Sequence, residues 1–131
     1  MLLNDDAEKL ELARAFHASL ASRDWDRLRG LFTDDAAWTL PGDNAISGRV
    51  AGADAVVERA RKIAGYRLNF ALKYVLASRE NFALFLHNTA QRDGLVLDEH
   101  LATVCRLQDG RIAEIETYLS DVPGMNAFFK K

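Results

Sequence analysis

Apolar positions recur every three to four residues in the first half of this chain and every second residue in the rest. The first rhythm belongs to helices that bury one stripe, the second to strands that bury one face. Ala13, Phe16, His17 and Leu20 form such a stripe, and Asp5 followed by Glu8 fits a capping box at its start. Asp24 is placed to cap a second, shorter helix carrying Trp25, Leu28, Leu31 and Phe32 on one side. A short strand through Ala36, Trp38 and Leu40 stops at Pro41-Gly42. "ISGRVAG" reads as a brief strand leading into a third helix, whose apolar face is Val56, Val57, Ala60, Ile63 and Ala64 and whose end is Gly65.

From residue 66 the pattern changes to strands: "YRLNFALKYVLASR", "FALFLHNTAQR", "LVLDEHLATVCRLQ" and "RIAEIETYLSD". Asp93-Gly94 and Asp109-Gly110 join the last three as tight hairpins, which makes an antiparallel meander. Helices first and strands later give an α+β fold, three N-terminal helices packed on one face of a bent, mainly antiparallel sheet. A sheet curved around helices leaves a cavity at its open end, where a small molecule can bind.

The 131 residues suit one domain, 1–131. A formal net charge of -2 argues against nucleic acid or an anionic membrane as the partner. The arginines at 23, 27 and 29 are interleaved with Asp26, as a solvated helix face would be. "MLLNDDAEKLEL" turns acidic before any apolar run develops, so no export signal is expected, and no stretch is apolar enough to span a bilayer. Cys105 is the sole cysteine; it suits a reducing cytoplasm and reads as a small buried thiol.

"SRDWDRLRGLFTDDAAWTLPGD", "SGRVAGADAVVE" and "QDGRIAEIETYLSDVPGMNAFF" resemble, in order and over almost the whole chain, the SnoaL-like group of the nuclear transport factor two-like (ketosteroid isomerase-like) superfamily. The resemblance implies a cone-shaped half-barrel with an internal pocket and a homodimer built on the outer sheet face. It also implies where acids and donors would stand, and this chain departs at each such place. Leu40 occupies the isomerase base position before Pro41, Phe16 the donor tyrosine and Thr103 the protonated acid. The hydrolase-type arginine and first aspartate fall at His87 and Thr89, and Thr117 stands where hydrolases and cyclases keep a carboxylate. A threonine cannot replace an ionised carboxylate as a base near neutral pH.

Alternation places Phe85, His87, Thr89 and Gln91 on one face of their strand, and Glu99, Leu101, Thr103 and Cys105 on one face of the next. With Phe16, Trp38, Leu40, Ile115, Thr117 and Leu119 they are expected to line a largely apolar pocket. His87 is the remaining acid/base candidate, or else a histidine hydrogen-bonded to Thr89 or Gln91 for packing. Glu99 at the rim is either a base or a solvated acid. Asp98 and His100 fall on the opposite face, without a third ligand at a suitable spacing, so neither a metal site nor a cofactor is expected. Two functions remain open: binding of a small hydrophobic molecule, or isomerase, cyclase or hydrolase chemistry on an apolar carbonyl or epoxide compound through His87. The outer face, with Leu84, Leu86, Val104 and Tyr118, is the expected dimer contact.

Overall fold

Ala13, Phe16, Ser19 and Leu20 are buried along α1 (Asp6–Ser22), the spacing of one helical stripe. The proposed capping residue Asp5 lies outside the residues that the structure, a computed structural model, describes, which are 6–131. Asp24 caps α2 (Trp25–Gly30) by accepting the Arg27 backbone N–H at 3.2 Å. That helix is shorter than its apolar pattern suggested: Leu31 is its C-cap and Phe32 already begins β1 (Phe32–Leu40). β2 (Gly48–Ala51) leads through Gly52, whose φ of 98° suits glycine, into α3 (Ala53–Ala64). Val56, Val57, Ala60, Ile63 and Ala64 are buried along α3, and Gly65 ends it.

β3 (Asn69–Ala77) starts later than its apolar run, because Arg67 takes a left-handed φ of 61° that interrupts extended backbone. β4 (Asn81–Arg92), β5 (Leu95–Gln108) and β6 (Arg111–Leu119) follow as a meander. Its two turns carry positive φ at both central residues, Asp93-Gly94 and Asp109-Gly110. The sheet runs β2-β1-β6-β5-β4-β3; β1 and β6 are parallel and every other pair is antiparallel. Helices pack against this unclosed sheet, as the α+β reading required.

A fourth helix, α4 (Val122–Phe128), was not expected. Asp121 caps it by accepting the Gly124 N–H at 3.0 Å, and Pro123 lies in its first turn, a position that needs no N–H. Its Met125 and Phe128, with Phe129 beyond, enter the core. Asn126 ties the helix to the loop after β1, its Oδ1 accepting the Asp43 N–H at 2.8 Å and the Asn44 Nδ2–H at 2.9 Å. The short helix also packs against β5.

Candidate functional site

Register along β4 and β5 decides which side chains face the helices. Arg92 lies opposite Leu95 at the turn, which sets Leu84 opposite Thr103, Leu86 opposite Leu101 and Asn88 opposite Glu99. Directly opposed residues share a face. Between Leu107–Ile112 and Arg106–Glu114 the ladder slips, leaving Ala113 as an extra residue. That bulge re-aims β6 and brings Thr117 opposite Thr103.

A hollow of about 40 Å³ lies between this inner face and the helices. Phe16 and Leu20 of α1, Ile63 of α3, Phe70 of β3 and Met125 of α4 form much of its apolar wall. Trp38, Thr103, Thr117 and Asn88 supply the polar atoms. The Trp38 Nε1–H donates to Thr117 Oγ1 at 3.0 Å, and the two threonine hydroxyls meet at 3.1 Å. Asn88 is only 5% exposed, and its Oδ1 meets no hydrogen-bond partner among the described residues. A buried acceptor left unpaired in this way would gain a hydrogen bond from any donor brought within reach of it. No described residue lining the hollow is ionisable.

Two buried ionic groups brace its surroundings. The Arg59 guanidinium donates to the carbonyls of Trp38, Ser47 and Gly48 at 3.1, 3.3 and 2.9 Å, and lies over the Trp38 ring. Burial pushes its pKa down, though a guanidinium remains charged. Glu99 Oε1 accepts the Asp121 N–H at 2.7 Å and, more weakly, the Ser120 hydroxyl at 3.4 Å. Burial raises its carboxyl above the ordinary glutamate range, against the lowering effect of those hydrogen bonds. Glu99 thus points inward and holds the start of α4, buried rather than solvated at a rim.

Phe16, Trp38, Leu40, Leu101, Thr103 and Thr117 line the hollow as expected. Ile115 and Leu119 pack into or against the core without lining it. Phe85, His87, Thr89 and Gln91 do not join the cavity. The even-numbered face of β4 turns inward, because Phe82, Leu84 and Leu86 bury far more apolar surface than the face that carries Phe85 alone among large hydrophobics. The same inversion removes Leu84 and Leu86 from the outer face, where Val104 and Tyr118 remain. The hydrolase-like positions assigned to His87 and Thr89 face outward, and Leu86 and Asn88 stand inside in their place.

His87 instead stands beside the two residues from which it had been separated. Its Nε2 lies 2.5 Å from Asp98 Oδ1, and its ring stacks on that of His100 at 4.2 Å with an interplanar angle of 6°. The hydrogen bond to His87 holds the Asp98 carboxyl below its usual range. Asn88 and Leu86 were missed through the inverted phase, although the two-residue turn already specifies it. Leu20, Ala60 and Ile63 were legible as helix stripes but not as cavity wall, and Met125 belongs to the unforeseen helix.

A family profile for the SnoaL-like domain matches residues 13–115, and the chain belongs to that family. It is 28% identical to the uncharacterized protein Rv0034 of Mycobacterium tuberculosis over 131 residues, 97% of this chain and 99% of that one. Bal32a, from a soil-derived mobile gene cassette, shares the fold with a TM-score of 0.90 and 26% identity, over 95% of this chain and 98% of that one. An NTF2-like protein from Burkholderia xenovorans superposes with a TM-score of 0.83 at 16% identity, covering 98% and 100% of the two chains. These likenesses establish a cone-shaped, nuclear transport factor two-like fold. The positions at which the resemblance placed acids or donors, Leu40, Phe16, Thr103 and Thr117, all stand in the cavity wall without an ionisable group.

Proposed function

We propose that the protein binds a small, mainly apolar molecule bearing a hydroxyl or similar hydrogen-bond donor, inside the hollow and without turnover. The observation that carries this reading is the wall itself: apolar, free of ionisable groups, and containing both the Asn88 amide, with its orphan acceptor, and the Trp38–Thr117–Thr103 chain. A buried acceptor left unpaired costs about 1–3 kcal/mol, and a ligand donor recovers part of that. The isomerase, cyclase or hydrolase alternative has no His87 in the hollow to serve as acid/base, because that side chain faces outward.

At about 40 Å³ the hollow is of a size for water. One water needs about 10–15 Å³ on this measure. A ring-sized ligand therefore enters by displacing wall, and the flexible Met125 thioether is the side chain suited to yield. Titration with p-cresol and toluene, followed by Trp38 fluorescence in a Trp25→Phe background, tests this. Both should bind, p-cresol more tightly, and Met125→Ala should tighten both. Failure of Met125→Ala to bind either compound contradicts the reading.

A second copy on the outer sheet face is part of the proposal. Tyr74, Phe85 and Tyr118, exposed at 66%, 36% and 55%, border an open groove of about 410 Å³ there. Exposed aromatic surface of this kind marks an association site. Sedimentation should give a dimer at micromolar concentration and a monomer for Tyr118→Glu; a monomeric parent refutes it. A cytoplasmic setting, supported by the buried free thiol of Cys105, completes the reading, with neither nucleic acid nor membrane as partner.

A further inference from the structure

His87, Asp98 and His100 converge on the outer face of β4 and β5, and we propose that they form a binding site for a divalent transition ion of the zinc class. One ligand atom from each lies within 4.8 Å of the others. The placement follows from the ladder: His87 is directly opposite His100, and Asp98, two residues earlier on β5, is its diagonal neighbour on the same face. All three stand on paired strands of the sheet, which is a firmer support than a loop.

Two imidazoles and one carboxylate are a ligand set for zinc, copper, nickel or cobalt rather than for magnesium or calcium, which prefer oxygen throughout. Zinc bonds of 2.0–2.2 Å in tetrahedral geometry put neighbouring ligand atoms about 3.4 Å apart. The rings therefore rotate slightly, and the ion enters where His87 Nε2 and Asp98 Oδ1 now meet in a hydrogen bond. His87 then offers its Nε2 lone pair with the ring proton on Nδ1, and Asp98 contributes a carboxylate oxygen. Three protein ligands leave a coordination position open to water or to an external donor, the arrangement of an exchangeable ion rather than of a closed structural one. Neither imidazole is backed by a second carboxylate among the described residues, so the ion is held reversibly.

The site lies on the opposite side of the sheet from the hollow and is independent of what the hollow binds, although His100 also borders the groove proposed for a second copy. Titration of the full chain with zinc, followed by NMR of the histidine ring nitrogens, is the test. His17, whose Nε2 meets the Phe70 carbonyl at 2.7 Å, is the internal control. The expected result is one zinc per chain, with His87 and His100 shifting together and His17 unmoved. Competition against a chelating dye should show affinity falling more than about tenfold in His100→Ala and in Asp98→Asn. Both variants alter partly or largely exposed side chains, and circular dichroism confirms that they fold. Absence of zinc uptake, whether the rings fail to converge or a second copy covers them, overturns the proposal. Equal uptake by the parent and His100→Ala overturns it too.

Discussion

Trp38 on β1 and Thr117 on β6 are joined across the parallel strand pair by the indole N–H, which donates to the threonine hydroxyl at 3.0 Å. The bond fixes the Trp38 ring in the cavity wall and passes on through Thr117 to Thr103. Thr117→Val keeps the shape but strands the indole N–H in an apolar setting, at a cost of about 1–3 kcal/mol. Trp38→Phe alone costs mainly packing. In the double variant nothing is stranded, so the two losses should sum to more than the double loses, by about 1 kcal/mol. Urea denaturation of the four proteins measures this, and strict additivity would show that the bond contributes nothing.

Arg59 binds three carbonyls from β1 and the segment entering β2, with no carboxylate partner among the described residues. Arg59→Met retains much of the aliphatic volume and leaves those carbonyls without their donor. A loss of about 3 kcal/mol is expected, with Arg59→Lys recovering only part because one ammonium cannot span the planar fork. Equilibrium unfolding checks it; a neutral Arg59→Met would mean that the carbonyls find water.

Glu99 gives the fold a pH signature. Its folded-state carboxyl titrates above the ordinary glutamate range because it is buried, so the native state holds that proton to higher pH than the unfolded chain does. The stability this supplies is complete below the unfolded value and is lost as pH rises through the raised folded value. Glu99→Gln never ionises, and its amide oxygen still accepts the Asp121 N–H. The stability of Glu99→Gln relative to the parent should therefore increase with pH across that window and then level off. Unfolding curves at a series of pH values would show it, and a constant difference would contradict it.

Much of the fold was legible because each local signal had a mechanism. Val56, Val57, Ala60, Ile63 and Ala64 marked α3 by spacing, and Gly65 marked its end. Asp93-Gly94 marked a turn whose backbone few other pairs adopt. The same turn held the answer to the phase of β4: with Arg92 opposite Leu95, inward Leu101 and Thr103 require inward Leu86 and Leu84. The polar side chains of the odd-numbered face of β4 suit a catalytic pocket, but burial of Phe82, Leu84 and Leu86 decides which face turns inward. The bulge at Ala113 and the packing of α4 depend on contacts distant in sequence, so local pattern did not reveal Met125 as wall. The encounter of His87 with Asp98 and His100 was hidden by the same inverted phase.

Asn88→Leu tests the central claim, that a hollow without ionisable groups in its wall recognises a donor-bearing apolar molecule. The substitution removes the orphan acceptor while preserving size, so the empty protein should be no less stable. Affinities for p-cresol and toluene, measured by calorimetry in the parent and in Asn88→Leu, are decisive. The parent should prefer p-cresol by about five- to tenfold, close to one net hydrogen bond, and Asn88→Leu should lose that preference while retaining toluene. A preference that is absent from the parent, or unchanged in Asn88→Leu, contradicts the claim.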